Sequence, residues 1–73
     1  MYVVTEYVGA PYAPYQEEVK TKKQAQKLMA QWVKEYHSSN KGMAYKREGT
    51  VKSGSVIFRH AIYASAIFSI EKQ

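Results

Sequence analysis

The segment that decides the fold is residues 25–36, AQKLMAQWVKEY, in which apolar side chains recur three and four positions apart. This spacing places them on one face of an α-helix, and no other segment of the chain repeats it. The apolar set is Ala25, Leu28, Met29, Trp32, Val33 and Tyr36. Because one helix with one apolar stripe covers only one face of a sheet, the second face is left for a partner, a second copy or water.

The helix is expected to begin near Thr21 and to end at residues 38–42. Thr21 with Gln24 three positions later fits a capping box, in which each side chain meets an unsatisfied backbone donor. The sequence SSNKG at 38–42 is a stop signal, with Asn40 or Gly42 as a left-handed cap.

The remaining apolar residues have the pattern of β-strands. Residues 2–8, YVVTEYV, predict a first strand, and residues 9–15, GAPYAPY, predict a stiff loop because two prolines restrict the backbone. After the helix we expect strands from Met43 to Glu48, over 56–63 and over 67–71, with a turn at 52–55. The prediction is an α+β two-layer sandwich with about four antiparallel strands, in the order β-α-β-β-β, as a single domain over residues 1–73.

Size and composition limit the chemistry. A chain of 73 residues buries a thin core, and without Cys it has neither disulfides nor thiolate metal sites. Two His residues make a structural metal site improbable, and no cofactor is expected. Self-association as a homodimer is therefore the remaining means of stabilisation. We expect a cytoplasmic protein without a membrane anchor, because neither a signal sequence nor a membrane-spanning run is evident.

The formal net charge of +5 favours acidic partners such as nucleic acid, although lysines also keep a small domain soluble. Two groups of cations are candidates for binding nucleic acid or an acidic partner. Lys23, Lys27 and Lys34 fall on the helix side opposite Trp32, with Lys20 just before the helix. The alternative for this lysine ridge is a solvated face.

The second group is Lys46, Arg47, Arg59 and His60, on adjacent strands. Counting outward from the turn, Arg47 is expected to pair with His60, and Arg59 to form an ordinary ion pair with Glu48.

Tyrosines are the candidates for protein binding. Tyr12 and Tyr15 each follow a proline, and stiff presentation lowers the entropy cost of using an aromatic side chain as an anchor. The alternative is that both rings pack back onto the thin core. Tyr45 and Tyr63 lie on strands near the second group of cations.

No enzyme is expected, because paired carboxylates, phosphate-binding glycine motifs and a nucleophile elbow are all lacking. The leading hypothesis is a non-enzymatic protein-binding inhibitor or regulator acting on a larger host complex. Such small, cysteine-free and motif-poor chains are typical of accessory proteins encoded by phages or mobile elements. The alternatives are a nucleic-acid-binding protein with a Lys/Arg face and a self-associating structural module.

Overall fold

In the computed structural model, one helix packs on one face of a five-stranded antiparallel sheet, which confirms the α+β sandwich. The structure describes residues 1–9, 13–40, 45–60 and 65–73. The elements are β1 (Tyr2–Tyr7), β2 (Tyr15–Val19), α1 (Lys22–Ser39), β3 (Tyr45–Thr50), β4 (Ser55–His60) and β5 (Ala66–Lys72). The strand order across the sheet is β2-β1-β5-β4-β3, so β1 and β5 are paired at its centre.

Strand β2 is the main departure from the prediction. Tyr15 opens a strand that pairs with β1, from Glu6 opposite Tyr15 to Tyr2 opposite Val19. The predicted loop over 9–15 is therefore wrong at its end, and the element order is β-β-α-β-β-β. The strand is short, polar and on the edge of the sheet, so its own residues give little β signal.

The helix begins as predicted. The Thr21 hydroxyl accepts a hydrogen bond from the Gln24 amide at 3.1 Å, and the Gln24 side chain accepts one from the Thr21 amide at 3.2 Å, which completes a capping box. The expected left-handed cap at Asn40 is wrong, because its φ is −112°. Asn40 instead donates from both its backbone and its side chain to the Tyr36 carbonyl. Gly42 lies outside the described residues.

The core lies between α1 and one face of the sheet. Met29 and Trp32 from the helix are packed with Val4, Phe58 and Phe68 from three strands. Aromatic rings continue this core toward β3: Tyr36 stacks on Phe58 with 5.0 Å between ring centroids. The apolar stripe that predicted the helix is thus the surface that covers the sheet.

The β3–β4 hairpin differs from its predicted register by two residues. Tyr45, not Arg47, is opposite His60, and Arg47 is opposite Phe58. The turn occupies four residues, 51–54, and the Ser53 and Gly54 amides donate to the carbonyls of residues 50 and 51. A four-residue turn moves the pivot of the hairpin, so each pairing counted from Ser53-Gly54 is shifted.

Candidate functional site

The sheet face opposite α1, here called the open face, carries one group of apolar side chains. Tyr7 on β1 is opposite Ile67 on β5, and Ile67 is opposite Ile57 on β4. Alternation along the strands directs these three residues away from the core, in which Phe58 and Phe68 are fully buried. They form an apolar row across three adjacent strands. Ile67 at its centre is 38% exposed.

A row of polar side chains crosses the sheet beside the apolar row, two residues away from it along each strand. Gln16, Thr5, Ser69, Ser55 and Thr50 follow one another across all five strands. The Gln16 amide donates to the Thr5 hydroxyl at 3.2 Å. Such residues are typical of a sheet face that meets water. Beyond this polar row, Val3 on β1 is a further apolar residue of the open face and is 7% exposed.

The charged side chains of the open face carry both signs. Arg59 forms an ion pair with Glu48, as the sequence predicts, although the two residues lie diagonally rather than directly opposite. The remaining charged side chains that alternation assigns to this face are Lys46, Glu18 and Glu71. Among the described residues, two cations and three carboxylates therefore share the open face, so it carries no excess of positive charge.

The lysine ridge is on the outer side of α1. Lys23, Lys27 and Lys34 are exposed and opposite the buried Trp32, and Lys20 is exposed just before the helix. The ridge therefore has the geometry that the sequence predicts. Its binding role stays a prediction.

A group of cations that shares Lys34 with the lysine ridge lines the flank of α1 that faces the β3–β4 hairpin. One depression of about 290 Å³ is lined by Lys22, Lys52 and Lys72, together with Tyr2, Gln26, Ser53, Gly54 and Ile70. The next, of about 310 Å³, is lined by Lys34, His37 and Arg47 with Ala30, Val33 and Val51. The two depressions follow each other along the helix, and we call them together the basic groove. Within the described part of the chain, no carboxylate lines either one.

Carboxylates gather instead on the β2 side of the molecule. Burial, and the charge of Glu35 on α1, raise the pKa of the Glu6 carboxyl above its ordinary value. Tyr15 donates its hydroxyl proton to Glu17 at 2.6 Å, and this hydrogen bond raises the pKa of Tyr15. Glu6, Glu17 and Glu35 therefore form an acidic flank, whereas the basic groove follows the opposite flank of the same helix.

The tyrosines predicted to bind protein occupy different environments. Tyr15 packs against Trp32 with 5.5 Å between ring centroids, yet it remains 54% exposed. Tyr45 is half-buried against Phe58 and hydrogen-bonded to His37. Tyr12 and Tyr63 lie outside the described residues. Tyr15 and Tyr45 are on the helix side of the sheet, away from the apolar row.

A hydrogen bond between two aromatic side chains, which the sequence did not indicate, joins α1 to β4. The Tyr36 hydroxyl lies 2.6 Å from Nε2 of His60. Burial raises the pKa of Tyr36, and the neighbouring Tyr45 adds to the shift. This contact fixes the helix end over the sheet. It gives His60 a structural role.

No protein-family model, curated protein or solved structure matches this chain significantly. Among the described residues, no three His or Glu side chains converge as metal ligands do. No helix in the described ranges has the length and apolar character needed to cross a membrane.

Proposed function

We propose that this protein is a small non-enzymatic binding module that docks on a protein partner, as an inhibitor or regulator, through the open face of its sheet. The observation that carries the proposal is the apolar row of Tyr7, Ile67 and Ile57. Ile67 in this row is exposed, and Tyr7 and Ile57 are half-buried. Contiguous apolar groups that reach the surface beside polar residues are typical of protein interaction sites.

The charges of the open face support a protein rather than a nucleic acid as its partner. Two cations and three carboxylates leave no positive excess there to attract phosphates. The Arg59–Glu48 pair and Lys46 supply polar groups at the edge of the apolar row. An apolar centre with a polar rim is the usual arrangement of a protein interface.

The test compares two variants that add the same charge to the same face. Ile67→Arg places a guanidinium in the apolar row, whereas Thr50→Arg places one on the edge strand β3. Tagged protein is used to capture partners from an extract of the cells that carry the gene, with and without nuclease, and mass spectrometry identifies them. We expect a nuclease-resistant protein partner that binds wild type and Thr50→Arg equally and Ile67→Arg at least tenfold more weakly.

Three results would contradict the proposal. The first is equal binding of Ile67→Arg and wild type to the purified partner. The second is the absence of any protein partner that persists after nuclease treatment, since proteins lost with nuclease are held through nucleic acid and not by the open face. The third is a mass that doubles with concentration in light scattering and returns to the monomer in Ile67→Arg, since a second copy would then occupy the open face. Circular dichroism of both variants confirms that each remains folded.

A further inference from the structure

We propose that the basic groove binds the phosphate backbone of a single nucleic-acid strand. This site is on the other side of the sheet from the apolar row and is independent of the protein partner proposed above. It combines residues of four separate segments of the chain. Of its cations, Lys34 and Arg47 belong to the groups that the sequence indicates, and Lys22 flanks the lysine ridge.

The first depression brings together three lysines from different elements. Lys22 opens α1, Lys52 is in the β3–β4 turn and Lys72 ends β5. In the described part of the chain the recorded ion pair joins Arg59 to Glu48, on the open face, and none involves these lysines. Three ammonium groups around about 290 Å³, without a carboxylate among the lining residues, favour an anionic occupant.

The second depression adds an apolar wall to the cations. Ala30, Val33 and Val51 line it beside Lys34 and Arg47. The Arg47 guanidinium lies 6.0 Å from the centre of the Phe58 ring, so its planar group is held near the groove. Sites for single strands combine cations that follow the phosphates with aromatic rings or Arg guanidinium planes on which the bases stack. Arg47 here and Tyr2 in the first depression are flat groups of this kind. Both kinds of group are present here.

The dimensions of the groove suit one strand. From Lys22 to His37 the helix rises about 22 Å at 1.5 Å per residue, which corresponds to about six stacked nucleotides. Depressions of about 290 and 310 Å³ accommodate single sugar, phosphate or base groups rather than the breadth of a duplex.

The acidic flank supports the same assignment. Glu6, Glu17 and Glu35 are on the β2 side of α1, where Glu17 and Glu18 share a depression with Lys20 and Lys27. Cations on that side are therefore accompanied by carboxylates, whereas those of the basic groove have none among the described lining residues. An acidic peptide is the competing occupant. The continuous line of cations beside an apolar wall favours a regularly spaced polyanion that carries flat bases.

The experiment is a fluorescence-anisotropy titration of the full chain with labelled dT12 at 50 and 200 mM salt. If about four phosphates are contacted, the slope of log affinity against log salt is about −2.8, and affinity falls roughly fifty-fold between the two conditions. The groove variant is Lys22→Gln/Lys52→Gln/Lys72→Gln. The matched control is Lys20→Gln/Lys23→Gln/Lys27→Gln, which removes the same charge from exposed positions of the lysine ridge.

The groove variant is expected to bind dT12 more than tenfold more weakly at 50 mM salt and to reduce the slope by about 2. The control is expected to stay within about threefold of wild type. Equal losses in the two variants would assign binding to overall charge and overturn the proposal, as would absence of binding to dT12. The proposal is also overturned if a hexaglutamate peptide or a duplex competes for the groove as well as dT12 does. Ile67→Arg should bind dT12 like wild type. Failure of the groove proposal can therefore be distinguished from failure of the open-face proposal.

Discussion

Replacement of Gly49 by Ala, which adds a single methyl group, is expected to lower the free energy of unfolding strongly. Its φ is +83°, and a Cβ there would lie 3.1 Å from the carbonyl carbon of Ser55, with the carbonyl oxygen closer still. Gly54 is a matched control, since its φ is +87° but the nearest atom to an added Cβ is the Ile70 oxygen at 3.9 Å. Both substitutions force a residue with a side chain into the left-handed region. Of the two, Gly49→Ala also requires the backbone of β4 to move.

The expected loss in the free energy of unfolding differs between the two substitutions. Gly54→Ala should lower the free energy of unfolding by about 1–2 kcal/mol, the cost of the left-handed conformation. Gly49→Ala carries this cost and also disturbs the last two pairs of the β3–β4 ladder. Two hydrogen bonds at about 1 kcal/mol each bring the expected loss to about 3–4 kcal/mol. For 73 residues the total stability is about 4–11 kcal/mol, so the loss would be a large part of it.

Urea unfolding followed by the fluorescence of the single Trp32 measures both variants. With an m value of about 1 kcal/mol/M, the midpoint of Gly49→Ala should lie about 2 M below that of Gly54→Ala. Midpoints within about 0.5 M of each other would refute the reasoning, because the contact with Ser55 would then have no consequence.

Three further variants test the core, the helix cap and one carboxylate. Phe68→Ala, which removes a fully buried ring, should cost about 3–5 kcal/mol in urea unfolding, and a loss below 1 kcal/mol would contradict the packing described. Thr21→Ala should cost about 1 kcal/mol and Thr21→Ser much less; equal losses would show that the hydroxyl does not cap the helix. Because burial and Glu35 raise the pKa of Glu6, the folded state holds that proton more tightly and loses stability as pH rises through the window above the ordinary value. Glu6→Gln should therefore raise the melting temperature at pH 7, with the gain fading below pH 4, whereas a gain that persists there, or that exposed Glu71→Gln reproduces, would contradict this account.

Local signals predicted the helix well. The spacing from Ala25 to Tyr36 and the Thr21–Gln24 box depend on neighbours within four residues, and both have the predicted structure. Strand β2 was missed because an edge strand with exposed glutamates is defined by its pairing with β1. The hairpin register was missed for a related reason, since it depends on the length of the turn.

The candidate sites also divide into one that depends on near neighbours in the sequence and others that depend on the fold. The exposed side of α1 follows from helical periodicity, so the lysine ridge was predictable. The basic groove was not, because Lys22, Lys52 and Lys72 are 20 to 50 positions apart in the sequence and only the folded chain brings them together. The apolar row likewise depends on the registers of β1, β4 and β5, and no single strand contains it.

The pairing of β1 with β5 has a practical consequence for handling the protein. The Gln73 amide donates to the Met1 carbonyl at 2.8 Å, so both ends of the chain leave the sheet at one point, beside Tyr2 and Lys72 of the basic groove. A purification tag at either end would therefore emerge next to the groove and should be cleaved before oligonucleotide titrations. The same proximity suits backbone cyclisation, in which a short peptide joins the two ends without crossing the open face.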